Sequence, residues 1–161
     1  MNDYHNILVA IDFSDASHAV ITRANDIARR NNTSLHVLHV VEYLPPMDTA
    51  YEPVASIAWI DEEAMLKRAT TALAKICKEH QLNEYQPNEH QPNEHQLRDA
   101  QQIVKLGMAK NEICQYARQH QCDLVILGSH GRHGIQLLLG STANGVLHDM
   151  PCDVLAVKLT K

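Results

Sequence analysis

The 161-residue chain lacks most of the features that declare a function at a glance. Its four cysteines, Cys77, Cys114, Cys122 and Cys152, stand too far apart for a CxxC pair, a zinc-ligand spacing or a redox motif, and so read as reduced packing residues. Basic residues are outnumbered, 14 against 19 acidic ones, for a formal net charge of −5. Nucleic acid and anionic membranes both call for a basic face, so neither is an expected partner. No apolar run is long enough to span a bilayer, and the opening MNDYHNILVAIDFSD has no charged segment leading into a long apolar core. A cytoplasmic location is therefore expected. Whatever phosphate chemistry the chain carries must be local.

What is present is an alternation. With 45% hydrophobic residues the chain can bury about two thirds of its unfolded surface around one core, which predicts a single domain over residues 1–161. NILVAID (Asn6 to Asp12) is a continuous apolar run ending at an acid, the pattern of a strand buried on both faces. Ser14 is placed to cap a helix whose stripe runs through Ala16, Val20, Ala24, Ile27 and Ala28, with Asn31-Asn32 as the stop. SLHVLHVVE (Ser34 to Glu42) is a second strand. Leu66, Ala69, Leu73 and Ile76 or Cys77 mark a second helix, QQIVKLG (Gln101 to Gly107) a third strand, and Ile113, Tyr116, Ala117 and His120 a third helix. DLVILG (Asp123 to Gly128) and CDVLAVKL (Cys152 to Leu159) are strands four and five, with a short helix near Thr142 to Asp149 between them. This βαβαβαβαβ order predicts an α/β fold, an open five-stranded parallel sheet with helices on both faces.

Residues 81–100 break the pattern. They read QLNEY QPNEH QPNEH QLRDA, a five-residue repeat whose prolines and polar composition exclude a helix interior and a core. A solvated insertion is expected. His80, His90 and His95 invite a metal reading, but a repeat of this kind lacks the fixed geometry that a site needs, and no metal ligand is assigned.

GSHGRHGIQLLLGST (Gly128 to Thr142) follows the fourth strand and holds four of the chain's six glycines. In a doubly wound sheet, ligands sit at the carboxyl ends of the strands, where successive strands go to opposite sides of the first. For strand order 3-2-1-4-5 that crevice lies between strands one and four, so Asp12 and the glycine-rich loop face each other across it. Glycines let backbone N–H groups converge on an anion, and a helix N-terminus after Gly140-Ser141-Thr142 adds donors and a favourable dipole. Asp12 would accept from a ribose hydroxyl. A plainer reading stands beside this one: Ser141 or Thr142 caps the short helix, the glycines permit turns, and Asp12 ends a strand or caps the first helix. The loop is not a P-loop, since it lacks the GK[ST] ending and no lysine lies between Gly128 and Met150, nor is it a GxGxxG after a first strand.

VAIDFS, LHVVE on the second strand and GSHGRHGIQLLLGSTANGVLHDMPCDVLAVK together resemble the universal stress protein family, over all of the chain except the repeat. The resemblance implies a Rossmann-like sheet of the adenine nucleotide alpha hydrolase type. Nucleotide-binding members carry G-x2-G-x9-G-[ST] and bind ATP or AMP as homodimers; others lack the glycines and bind no nucleotide. Carried onto this sequence, the resemblance gives Asp12 to the ribose, the Val9 and Ala10 backbone to the adenine wall, and the Val40 main chain to adenine recognition. Leu127 and Gly128 would flank the ribose and α-phosphate, while Gly131, Gly140, Ser141 and Thr142 surround the phosphates, with Mg²⁺ as an optional companion. Only eight residues, RHGIQLLL, separate Gly131 from Gly140, one fewer than the family pattern. That puts the register of the cradle in question, Gly134 allows the loop to tighten, and a shorter cradle favours AMP over ATP.

The remaining polar residues carry two readings each. His130, Arg132 and His133 either pair with the anion or sit as solvated loop residues. His36 and His39 read as core or helix-facing positions with one ring nitrogen bonded, and His148 as a cap compatible with the helix dipole. The last strand, over 152–160, must be an apolar sheet edge, and in similar proteins that edge pairs across a two-fold axis. Three function classes follow: a dimeric adenine-nucleotide-binding regulatory protein acting on a protein partner; a slow ATP hydrolase or transferase; and a nucleotide-free interaction protein. No catalytic residue is assigned, because no nucleophile, base and orienting group can be matched from the sequence.

Overall fold

The computed structural model describes residues 4–42, 61–82, 100–129 and 139–158. Nine elements alternate in chain order: β1 (Ile7–Ile11), α1 (Ala16–Asn31), β2 (Leu35–Glu42), α2 (Glu62–Glu79), β3 (Gln101–Gly107), α3 (Ala109–Gln119), β4 (Leu124–Gly128), α4 (Ser141–Asp149) and β5 (Asp153–Val157). All strand pairs are parallel and the sheet order is β3-β2-β1-β4-β5, as the alternation of elements predicts.

β1 is central because every one of its side chains is apolar and finds a covered face. Ile7, Val9 and Ile11 turn toward α1 and α2, where Val20, Ile21, Leu73 and Cys77 meet them. Leu8 and Ala10 turn the other way, onto Ile113, Tyr116, Ala117 and Val146 of α3 and α4. Burying each Ile or Leu of this kind contributes about 1.5–3 kcal/mol. Truncating Leu73 (1% exposed) to alanine would open a cavity between α2 and the sheet and cost about 2–5 kcal/mol. The edge strands are less covered: no residue of β3 is fully buried, and Gln101, Gln102 and Lys105 are exposed.

Helix ends follow local chemistry. The Asp61 side chain accepts from the Ala64 amide at 2.9 Å and caps α2, with Glu62 and Glu63 placed favourably in its first turn. Asn32 adopts a left-handed conformation and closes α1. Gly107 turns β3 into α3 with φ +149°, a backbone conformation that strains any residue with a Cβ. Ser14 does not take the capping role expected of it: Asp15 holds the N-cap position without a side-chain bond, and Ser14 instead donates to Asp12. His120 is exposed rather than part of the buried stripe of α3, its ring stacked on Tyr116 at 4.1 Å.

The cysteines pack as expected. All four are free; Cys77, Cys114 and Cys122 are buried, and burial pushes the Cys77 thiol up to about 11 and that of Cys122 to about 12, away from reactivity. Most of the repeat lies outside the described residues, including His90 and His95. Its two feet are described: the Ala100 amide donates to the Leu82 carbonyl at 3.4 Å, and both residues pack on the core, so the chain leaves and returns at one place. Among the described residues no helix is long and apolar enough to cross a membrane.

Candidate functional site

The sheet order places the topological switch between β1 and β4, since β2 and β3 lie to one side of β1 and β4 and β5 to the other. In sheets of this order ligands sit in a crevice outside the carboxyl ends of these two strands. The register fixes which residues stand at its rim. Ile11 pairs with His39, so Val40 is level with Asp12; Ala10 pairs with Leu127, so Gly128 is level with Ile11 and Ser129 with Asp12. Ala10, Val40 and Leu127 belong to the α3/α4 face, whereas the Val9 side chain is buried on the α1/α2 face and leaves only its backbone toward the crevice.

Asp12 is held in place by the entry to α1. Its Oδ1 accepts from the Ser14 amide at 3.0 Å, the Ser14 hydroxyl at 2.5 Å and the Ser17 hydroxyl at 3.3 Å. Three donors on one oxygen orient the carboxylate. Asp12 thus braces the entry to α1 ahead of the N-cap residue Asp15 and does not itself cap the helix.

On the far side of the crevice, two bonds anchor the start and end of the glycine-rich loop. The Ser129 amide donates to Val157 O and the Gly140 amide donates to Ser129 O, both at 2.8 Å. The excursion from 130 to 139 thus leaves and re-enters at one point whatever its length. His130, Gly131, Arg132 and His133, with Gly134, lie outside the described residues.

Gly140 is the N-cap of α4, which puts Ser141 and Thr142 in the first helical turn, exposed and half-buried respectively. Neither caps the helix. The first amides of a helix have no intrahelical acceptor, and among the described residues no acceptor meets those of Ser141 and Thr142. This end of α4 is a positive dipole terminus. The other end is fastened to α3: Lys110 Nζ lies 2.6 Å from Asp149 Oδ2, and Arg118 Nη2 donates to the Asp149 carbonyl at 2.6 Å. The ion pair raises Lys110 and lowers Asp149 from their ordinary ranges. Arg118, not His148, takes the C-terminal carbonyl.

Both strand histidines have one nitrogen bonded, as expected. His36 Nδ1 shares a hydrogen bond with the Tyr116 hydroxyl at 2.9 Å. His39 Nδ1 lies 2.9 Å from the carbonyl of Ile11, which only accepts, so Nδ1 must carry the proton. The Phe13 ring stacks on His39 with centroids 3.9 Å apart, and Phe13 itself holds φ 59°, a left-handed turn costing a bulky residue about 1–2 kcal/mol. Sequence reasoning gave no role to Phe13, Ser17 or Ser129. For Ser17 the available signal was a serine at the start of the helix that follows a strand-end acid; the structure buries it, 1% exposed, with its hydroxyl on Asp12.

Chemically, the rim offers a fixed carboxylate acceptor, a row of strand-end backbone and an exposed helix N-terminus, the complement of a ribose, a planar base edge and a phosphate. Among the described residues no group of three potential metal ligands forms.

The model of the Universal stress protein family matches residues 3–158. Universal stress protein A homolog 2 of Coxiella burnetii is 37% identical over 160 residues, covering 99% of this chain and 98% of its own. Among solved structures, the universal stress protein UspA from Lactobacillus plantarum is 30% identical with a TM-score of 0.68, covering 99% of this chain and all of its own. A universal stress protein in complex with cAMP is 21% identical with a TM-score of 0.63 and covers 98% of each chain, a likeness of fold.

Proposed function

The chain belongs to the universal stress protein family, and from that premise we propose that it binds an adenine nucleotide, AMP or ATP, in the β1–β4 crevice and acts as a homodimeric regulatory protein of the stress response in the cytoplasm. One observation carries the proposal: Asp12, its Oδ1 held by the Ser14 amide and hydroxyl, ends β1 beside β4, the strand from which the chain leads to the N-terminus of α4. A relative solved with cAMP supports the same ligand chemistry, an adenine joined to ribose and phosphate.

In this reading Asp12 accepts from the ribose, the Val40 main chain reads the adenine edge, and the Val9, Ala10 and Leu127 backbone lines the base and ribose. Gly128, Gly140, Ser141 and Thr142 receive the phosphate with His130, Gly131, Arg132 and His133. The rim residues fit an adenylate by donor and acceptor type, and Mg²⁺ would add charge neutralisation for a di- or triphosphate. The protein contributes binding and orientation; no base or nucleophile is assigned. β5 lies at the sheet edge with Val154, Leu155 and Val157 half-buried, a surface suited to pairing with a second copy through 152–160. The whole chain acts as one domain carrying the repeat as an insertion.

Mass spectrometry of nucleotide released from the purified protein, followed by calorimetry with AMP and ATP, tests this. An adenylate in the preparation and tighter binding of AMP than ATP are expected from the eight-residue interval. The same interval favours a second reading, a nucleotide-free interaction protein of this fold. A flat thermal shift with both nucleotides would establish it, since a ligand at about 100 times its dissociation constant adds about 2.7 kcal/mol.

A further inference from the structure

We propose that His39 and Phe13 form a clamp that positions Asp12 for its ligand; the ligand half of this inference rests on the nucleotide reading above. Asp12 sits between two residues held by one imidazole. On its N-terminal side the Ile11 carbonyl receives the His39 Nδ1–H at 2.9 Å. On its C-terminal side the Phe13 ring stacks on the same imidazole, 3.9 Å between centroids and 28° from parallel.

The geometry explains why a bulky residue accepts φ 59° at position 13. β1 stops pairing at Ile11, and the imidazole takes over the carbonyl where the ladder ends. The left-handed turn then swings the Phe13 ring back over β2, onto His39. With residues 11 and 13 both fixed to β2, the backbone of Asp12 has one path, and the carboxylate reaches the Ser14 amide and hydroxyl. His39 is 7% exposed on an interior strand of the sheet, so the clamp rests on a buried strand and not on a loop.

The proton on Nδ1 is required in this arrangement, and it is present in both the cation and the neutral tautomer that donates to Ile11. In this inference His39 acts through Asp12. Asparagine at position 39 places an amide N–H near the Nδ1 position and should preserve the bond, whereas leucine preserves bulk and removes the donor.

The test uses the full chain, with two readouts: the AMP dissociation constant by calorimetry, and amide hydrogen exchange at Ser14 in the free protein. His39→Leu should weaken AMP binding about tenfold and speed Ser14 exchange by a similar factor, the scale of one lost buried hydrogen bond with its orphaned carbonyl. His39→Asn should restore most of both. Phe13→Gly, which adopts the left-handed turn without strain, keeps the fold and should weaken AMP about threefold through loss of the stack. Unchanged Ser14 exchange in His39→Leu, or His39→Asn no better than leucine, overturns the clamp. Should the parent protein bind no adenylate, the nucleotide reading fails, and Ser14 exchange in the two His39 variants still decides the clamp.

Discussion

The two rims of the sheet are built from similar residues and spend them differently. At the amino ends of the strands the polar groups consume one another: Asp123 accepts from the His5 and Asn6 amides at 2.7 and 3.1 Å, Asn31 accepts from the Tyr4 amide at 2.9 Å, and the Tyr4 hydroxyl donates to Asp153 at 2.9 Å. These bonds tie β1, β4, β5 and α1 together. At the carboxyl ends, Asp12 is also bonded, yet by its own helix entry, and the N-terminus of α4 has no side-chain cap. An acid that closes a rim and an acid that presents one are told apart by where their donors come from.

The sharpest way to break this comparison is to exchange the roles. Asp12→Ala should cost adenylate binding about 2–3 kcal/mol, roughly thirtyfold to a hundredfold in calorimetry, because charged hydrogen bonds are lost. Binding within twofold of the parent would place the ligand elsewhere. Asp123→Ala should instead lower stability by about 1 kcal/mol in urea unfolding, by removing the acceptor of two amides, and leave the AMP dissociation constant of the folded protein unchanged. A comparable loss of affinity would erase the division between the rims.

A pH series sharpens the same contrast at the closed end. Burial, with the His120 ring nearby, holds His36 below its ordinary range, and burial with His18 nearby does the same for His80. A lowered base takes up its proton first in the unfolded chain. Stability is then full above the unfolded value of about 6.5 and declines as pH falls through it, toward the lowered folded values. Urea midpoints should drop between about pH 7 and pH 5, and His36→Phe should flatten that slope. A slope unaltered by the substitution would remove His36 from the account.

The smallest effect is expected at the repeat. Its feet meet at the Leu82–Ala100 bond, so replacing 83–99 with a short turn should change stability by less than about 1 kcal/mol, as loop-closure entropy varies slowly with length. A larger loss would mean that the repeat packs on the domain.

Much of this architecture can be read from the chain because its signals are local. NILVAID and DLVILG are unbroken apolar runs, and only strands covered on both faces tolerate them, so β1 and β4 and the sheet class follow directly. The switch point needs one further step, the handedness of crossovers. The His39–Phe13 contact resists such reading, because it depends on register between two strands and on a left-handed phenylalanine that no propensity predicts. The Ser129–Gly140 bond is similarly hidden: it joins residues on either side of a loop whose glycines draw the eye. Ser14 looked like a cap, and Asp12 outcompeted the helix end for its hydroxyl.

An AMP titration of isotope-labelled protein, followed amide by amide in nitrogen–proton correlation spectra, tests the central claim most directly. The account predicts shifts concentrated at Asp12, Val40, Gly128 and Gly140 to Thr142, with Asn6, Asp123 and Asp153 at the closed rim unmoved. Saturable shifts confined to another surface, or none at AMP concentrations well above the micromolar range, would contradict it.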